Sequence, residues 1–483
     1  MVKVNIKKNI APILLVIAMV VSIIILCPKP MQNDTFWSIK VGEKLVKDGT
    51  WDVDTFSMHD GLKYVAHHFF TDVVIYFAYV LGGFTGLYVL EILMALGLAW
   101  ILYLLNKELC GSKKLSYSML CIQMVLLTLF ISVRAQMISY ILFALELLLL
   151  EKSRKQDKLK YYIGLGIIPL LLTNFHMGVA PFYFILLGVY GLDALNIKFL
   201  WLKTNTKPDV KRFKKLIILG VIGIVLLFIN PYGLDGVVYC FKTLGNDFIN
   251  TYIDEFQPFS MRDSITMLHV FYIIFVLFVF MVNKAKVDLK DMLLIFGTLF
   301  MHFTAYRYTS LFIICSAVIV KYIVSIIKTM ELEKVDKIAF VVTSVLVMMV
   351  LGVDMLSTRN MEYLEDAVAP VKAVEVLKEN IDSDTVLYNE YIWGGYLILN
   401  DIEVFIDSRA DLYTEEYNEG ITVAKDFAKI QMLQEGYKEA MDRYNFNTYL
   451  VHTNSLTSRM LDDKEDFECI YTDDTASIYK KLK

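Results

Sequence analysis

Long apolar runs constrain this chain more than any other feature. One of them, ITMLHVFYIIFVLFVFMVN (265–283), has no charged residue. About 20 such residues in a helix cover the ~30 Å hydrocarbon core of a bilayer. Comparable runs recur at about 10–27, 84–106, 117–133, 137–151, 161–173, 178–196, 215–229, 290–305, 308–327 and 338–356. With 56% hydrophobic residues over 483 positions, the chain is too apolar for a soluble globule of this length. We therefore expect a polytopic α-helical membrane protein with about eleven transmembrane helices. A further stretch, FFTDVVIYFAYVLGG (69–83), is too short to span and ends in Gly-Gly. It reads as an interfacial or re-entrant helix.

Basic residues set the orientation. They crowd into alternate connections: Lys107/Lys113/Lys114, then Lys152 to Lys160, then Lys203 to Lys215, then Lys284/Lys286/Lys290, then Lys328/Lys334/Lys337. Short basic loops stay cytoplasmic. The intervening connections carry few basic residues, among them Arg134, Lys242, Arg262 and Arg307. Those connections, and the long loop at 28–72, are expected outside. The N-terminal run has no small-x-small cleavage site and reads as an uncleaved span with a cytoplasmic N-terminus. Eleven spans then leave the C-terminus extracytoplasmic. The expected location is the cytoplasmic membrane. A net charge of −4 excludes nucleic acid as a natural partner. The six cysteines show no CxxC and define neither a metal site nor a disulfide framework.

Two domains are expected. Residues 1–356 form the transmembrane domain with its long first outer loop. Residues 357–483 are charged and mixed in pattern, and read as an extracytoplasmic α/β domain. Within the tail, 373–381 and 428–444 read as helices, and 384–389, 403–407 and 447–453 as strands.

Chemistry-bearing residues gather on the outer side. Asp34 stands where the N-cap of an amphipathic helix would stand. It either caps that helix or presents a carboxylate at the membrane boundary. Trp37 fits an interfacial anchor. Asp52-Val-Asp54 is a spaced carboxylate pair that suits either an Asx-turn or a divalent ion, magnesium or manganese. His67 and His68 precede the 69–83 helix, and as neighbours they are expected to point in different directions. Asn174 and His176 interrupt two apolar spans, either lining a cavity or satisfying broken helix ends. Glu255 adds a carboxylate. Arg134 and Arg307 each sit alone at an outer helix end, where arginine either snorkels or clamps a phosphate. The tail adds WGGYL (393–397) and FIDSRADLY (405–413), with Asp407 and Arg409 either an ion pair or a reader of sugar. Arginines for a phosphate and carboxylates for an incoming nucleophile suit a lipid-phosphate-linked donor.

With NDTFW after the first span, HHFFTD, VRAQ (133–136), TNFHMG, NPYG with DEFQP, and WGGYL with VFIDSRADLY, the chain resembles GT-C membrane glycosyltransferases. That class includes protein O-mannosyltransferases and the lipid A aminoarabinose transferase. The chain is most similar to a set of bacterial GT-C-like membrane proteins. The resemblance implies transfer of a sugar from a polyprenyl-phosphate donor, within membrane lipid, to an extracytoplasmic acceptor. It implies Asp34 and Glu255 as catalytic carboxylates and Arg134 and Arg307 as phosphate ligands. Asn174, His176, His67, His68 and Trp37 are implied substrate contacts, with Asp54 a weak metal ligand. The chain departs from the pattern at His68-Phe69, where a Glu-Trp pair is common, and at Arg134-Ala135 in place of Arg-Pro. Two other classes stay open. A transporter or flippase would work through within-span charges such as Glu91, Glu146 and Lys321. A non-catalytic assembly protein would work through a carbohydrate-binding tail.

Overall fold

The computed structural model describes residues 31–195, 368–482 and most of 197–329, together with 20, 23 and 27. The expected spans at 10–27 and 338–356, and the 356/357 domain boundary, otherwise lie outside the described residues. The chain falls into two compact units. The first holds the described parts of 1–28, 88–230 and 254–359. The second holds those of 29–87, 231–253 and 360–483. The long first loop thus belongs with the tail.

The first unit is helical. Its helices include Lys113–Leu127, Ala135–Lys155, Leu159–Phe175, Ala180–Ala194, Val210–Leu227, Ser264–Val282, Leu289–Thr304, Thr309–Cys315 and Ile319–Thr329. These fall where the apolar runs place them. Among the described residues, four helical stretches are long and apolar enough to cross a membrane: Phe69–Cys110, Lys113–Phe130, Met177–Ala194 and Tyr306–Lys328. Leu159–Phe175 and Thr266–Val282 are apolar but shorter. The first stretch is broken at Gly82-Gly83, where Gly83 adopts φ 57°. Only glycine takes that conformation readily, so the expected end of the 69–83 helix is a backbone kink.

Polarity in this unit is inverted relative to a soluble globule. Val221, Val225, Phe271, Phe278 and Phe300 are exposed, whereas Glu151, Asp193, Lys290 and Asp291 are buried. An apolar exterior suits hydrocarbon. The buried charges neutralise one another. Lys290 pairs with Glu151 and with Asp291, and Lys321 with Asp288 and Asp291. Arg154 and Arg212 share Asp193 at 3.0 and 2.6 Å. Tyr190 and Tyr322 donate to Glu151 and Asp291. These residues come from the C-terminal ends of 135–155 and 180–194, the N-terminal ends of 210–227 and 289–304, and from 319–329. The network therefore gathers one end of the bundle. Lys321, a within-span exception, is part of this neutral set, while Glu91 and Glu146 are buried within their helices.

The second unit begins with the helix Asn33–Asp48. Its buried face holds Phe36, Trp37, Ile39, Val41 and Leu45. Glu43–Lys47 and Lys44–Asp48 pairs line its exposed side. Gly49, at φ 79°, ends it and returns its N–H to Leu45. The tail folds around a four-stranded sheet: β1 (Leu387–Asn389), β2 (Thr448–His452), β3 (Phe467–Thr472) and β4 (Ala476–Lys481), in the order β1-β2-β4-β3. β1 and β2 are parallel, and the other pairs antiparallel. Two expectations for the tail need correction. The segment at 403–407 is not a ladder strand. It makes one bridge, Val404 to Ser57, and the Asn389 amide bonds Phe405 N–H and Ile406 C=O. The helix expected at 428–444 is two helices, Val423–Gln431 and Tyr437–Tyr444, parted by positive φ at Leu433 and Gly436.

Candidate active site

In the first unit, the turns that the basic-residue pattern assigns outside meet at the end of the bundle opposite the charge network. Asn174 donates to the carbonyls of Leu170 and Ile229, and Thr173 to that of Leu227. Asn174 thus satisfies open helix ends with its amide N–H groups. The His176 Nδ1 and Ser139 Oγ lie 2.6 Å apart. His302 Nδ1 meets Thr309 Oγ1 at 2.7 Å.

At this same end, Arg134 immediately precedes the helix Ala135–Lys155, and Arg307 lies in the turn between Leu289–Thr304 and Thr309–Cys315. The expectation that each arginine stands alone is wrong. Arg134 donates to the Glu255 carboxylate at 2.5 Å. The Arg307 guanidinium stacks 4.3 Å from the centre of the Phe256 ring. Tyr306 N–H bonds Gln257 C=O, which ties the two turns together. Partial burial pushes the Glu255 carboxyl up, but Arg134 and Arg307 outweigh it and hold it below the ordinary value. Glu255 is therefore an anion at neutral pH, suited to orienting Arg134 rather than to donating a proton. Its side chain is 36% exposed and that of Arg134 17%, so the cluster is within reach of a ligand. Two guanidiniums around one carboxylate leave net positive charge, which suits a phosphate.

The second unit carries the other candidates. Asp34 does not cap its helix. Gln32 holds the N-cap position without a side-chain cap bond, and Asp34 lies in the first turn. Its Oδ1 accepts from the Ser408 hydroxyl at 2.5 Å and from Trp37 Nε1 at 3.3 Å. Trp37 is 3% exposed and also donates to Ser408, so it is no interfacial anchor. Its ring stacks on His68 at 6.0 Å. His67 and His68 do not diverge, since their ring centres lie 3.8 Å apart. His67 meets the Tyr239 hydroxyl at 3.2 Å, and burial lowers its basicity.

Asp54 forms a structural clasp. Arg409 donates to it at 2.5 Å, and Ser57 N–H at 2.9 Å. Arg409 also bonds Asp407 twice, at 2.9 and 2.7 Å, while Tyr413 donates to Asp407. Burial works against the Asp54 anion, yet the Arg409 charge keeps its carboxyl below the usual range. Asp54, Ser57, Asp407, Arg409 and Tyr413 are all buried. Among the described residues, no group of three or more His, Cys, Asp or Glu is placed to hold a metal ion. The donor set around Asp54 does not fit a divalent cation.

Sequence reasoning did not single out Ser408, Ser139 or Tyr239. A serine or tyrosine in an unremarkable stretch has no signal of its own, and Ser408 reaches Asp34 across 374 positions.

Solved structures with this architecture are available for comparison. The archaeal oligosaccharyltransferase AglB from Archaeoglobus fulgidus, in complex with an inhibitory peptide and a dolichol-phosphate, matches with a TM-score of 0.60. It is 10% identical, over 93% of this chain and 70% of that one. The chain shares its fold with an oligosaccharyltransferase. The Archaeoglobus fulgidus oligosaccharyltransferase tethered to an acceptor peptide containing the NVT sequon matches equally, with 12% identity over 92% and 69% of the two chains. Its apo form gives the same TM-score and 12% identity over 93% and 70%. The GT-C-like architecture expected from the motifs is thus borne out as fold. No family model matches the chain, and no curated protein does.

Proposed function

We propose that this protein is an integral membrane glycosyltransferase that moves a sugar from a polyprenyl-phosphate donor to an extracytoplasmic acceptor. The observation that carries this reading is the Arg134–Glu255–Arg307 cluster, on a fold shared with enzymes solved with a dolichol-phosphate and with acceptor peptides. About eleven spans, a cytoplasmic N-terminus and an extracytoplasmic tail complete the picture, with the tail and the first loop as the outer working part.

In the reaction, the acceptor's nucleophilic atom attacks the anomeric carbon. The bond from that carbon to the phosphate oxygen breaks, and its electron pair leaves on the polyprenyl phosphate. Arg134 and Arg307 bind that phosphate and stabilise the charge it gains. Glu255 fixes the Arg134 guanidinium. Asp34 takes the acceptor's proton or orients the acceptor. Ser408 and Trp37 hold Asp34 by donating to its Oδ1. His176 lies with the Arg134 turn in the first unit, and His68 stacks on Trp37 in the second.

The test is purified protein with a labelled polyprenyl-phosphate sugar, followed by transfer to an acceptor extract. Transfer at full rate by Asp34→Asn removes Asp34 from the mechanism. Loss of function in Glu91→Gln, with Asp34→Asn active, points to transport.

A further inference from the structure

The second unit holds a cleft that the donor chemistry does not use. It lies between the helix Asp247–Tyr252, the turn after β1 and the helix Val423–Gln431, and has a volume of about 210 Å³. That is below the roughly 300–1,000 Å³ of pockets for drug-sized ligands, and suits a single sugar ring better than a chain. Glu390 stands in its wall and is 2% exposed. Gln431 Nε2 donates to one carboxylate oxygen at 3.0 Å, and His452 N–H reaches the other at 3.4 Å. Among the described residues no cation pairs with it, and burial pushes its carboxyl up. A buried carboxylate fixed by two neutral donors keeps acceptor capacity for hydroxyl groups of a ligand.

Around Glu390 the lining is aromatic: Phe248, Tyr252, Tyr391 and Phe427. Tyr252 is 46% exposed, so a ring face is open at the mouth. Faces of this kind pack against the C–H surface of a pyranose while the carboxylate takes its hydroxyls. A peptide strand is disfavoured here. The outer edge of β1 is covered by 403–407, whose Phe405 N–H and Ile406 C=O are already bonded to Asn389. That segment hinders a strand added at β1, and β3, the other edge strand, does not line the cleft.

We propose that this cleft is a saccharide subsite that holds one neutral pyranose unit of the acceptor. The choice of acceptor rests on the glycosyltransferase reading, whereas the binding itself does not. The test is saturation-transfer NMR on the full-length protein in detergent, without lipid donor. Glucose, galactose, N-acetylglucosamine and their β-linked disaccharides serve as probes, and an acceptor-peptide library is run in parallel. At least one saccharide should bind, with affinity falling about tenfold or more in both Tyr252→Ala and Glu390→Gln. Tyr252 is exposed, so its variant keeps the test valid where a buried change at Glu390 fails to fold. In a transfer assay with a glycan acceptor, Tyr252→Ala should raise the acceptor KM and leave kcat unchanged. Absence of any saccharide signal, saccharide binding that ignores Tyr252→Ala, or peptide signals that Tyr252→Ala abolishes would each overturn the proposal. Binding without transfer in any preparation counts against the glycosyltransferase reading and leaves the cleft standing.

Discussion

The chemistry proposed for this chain rests on a few side chains that hold one another. Arg134 and Arg307 face a shared anion, Glu255, and a charge-assisted bond of this kind is worth about 1.5–3 kcal/mol. Arg307→Ala should therefore raise the donor KM about 10- to 100-fold in a steady-state transfer assay, with the acceptor KM unchanged. Glu255→Gln should loosen Arg134 and lower kcat/KM for the donor, with partial recovery in Glu255→Asp. The pH response has a definite sign. The Glu255 carboxyl is held below its ordinary value of 4.5, so the pair is intact at neutral pH. It is lost only as the pH falls through that lower folded value. Donor binding should stay level as the pH falls from 7 through 4.5 and be lost only at a lower pH. Had the pair been absent, binding would already weaken through the ordinary glutamate range. At this scale the sequence was partly legible. The residue types and their side of the membrane pattern could be read, because isolated polar groups stand out against apolar runs. Their partners could not. Arg134 and Glu255 are 121 positions apart, and the Asp34–Ser408 bond spans 374.

Helices and turns explain why some motifs were misread. The WGGYL glycines serve close packing. A Cβ on Gly394 would strike Ile406 C=O, and one on Gly395 would strike the Asn33 side chain, which instead accepts Gly395 N–H at 2.6 Å. The helix Gly394–Leu399 is thereby pressed against the helix Asn33–Asp48. Gly395→Ala should lower the melting temperature of the purified protein and expose the tail to limited proteolysis. The Asp54–Arg409–Asp407 clasp does similar work between the first loop and the tail. Arg409→Ala would leave two buried carboxylates without their cation, at a cost of about 3–5 kcal/mol. That loss should appear as protease sensitivity of the loop and tail together. The DxD pattern looked like a metal motif because the sequence displays carboxylates and hides the arginine that neutralises them. The strand expected at 403–407 failed for a related reason. Val404, Phe405 and Ile406 are strand formers, but the Asn389 side chain supplies bonds that a neighbouring strand would have made.

Over the whole molecule, the helices were the most legible part. Apolar runs long enough to cover hydrocarbon leave little choice of structure, and the described helices follow them closely. The pairing of helix ends was legible as well. The neutral charge network joins the ends that the basic loops assign to one side, while Arg134, His176, Glu255 and Arg307 share the other. What the sequence did not display is that the first loop folds with the tail, since that union is made by contacts between segments over 300 residues apart. The orientation has its own test. In a background carrying Cys469→Ser, which removes an exposed native thiol from the tail, a membrane-impermeant thiol reagent applied to intact cells should label Asp60→Cys and Glu419→Cys and spare Lys158→Cys, all at exposed positions. The central claim is tested most directly by transfer of a labelled sugar from a polyprenyl phosphate by the purified protein in lipid. We predict label in an acceptor and free polyprenyl phosphate in equal amounts, with at least a 100-fold loss in both Asp34→Asn and the Arg134→Ala/Arg307→Ala double variant. Undiminished transfer in folded preparations of those variants would contradict the account.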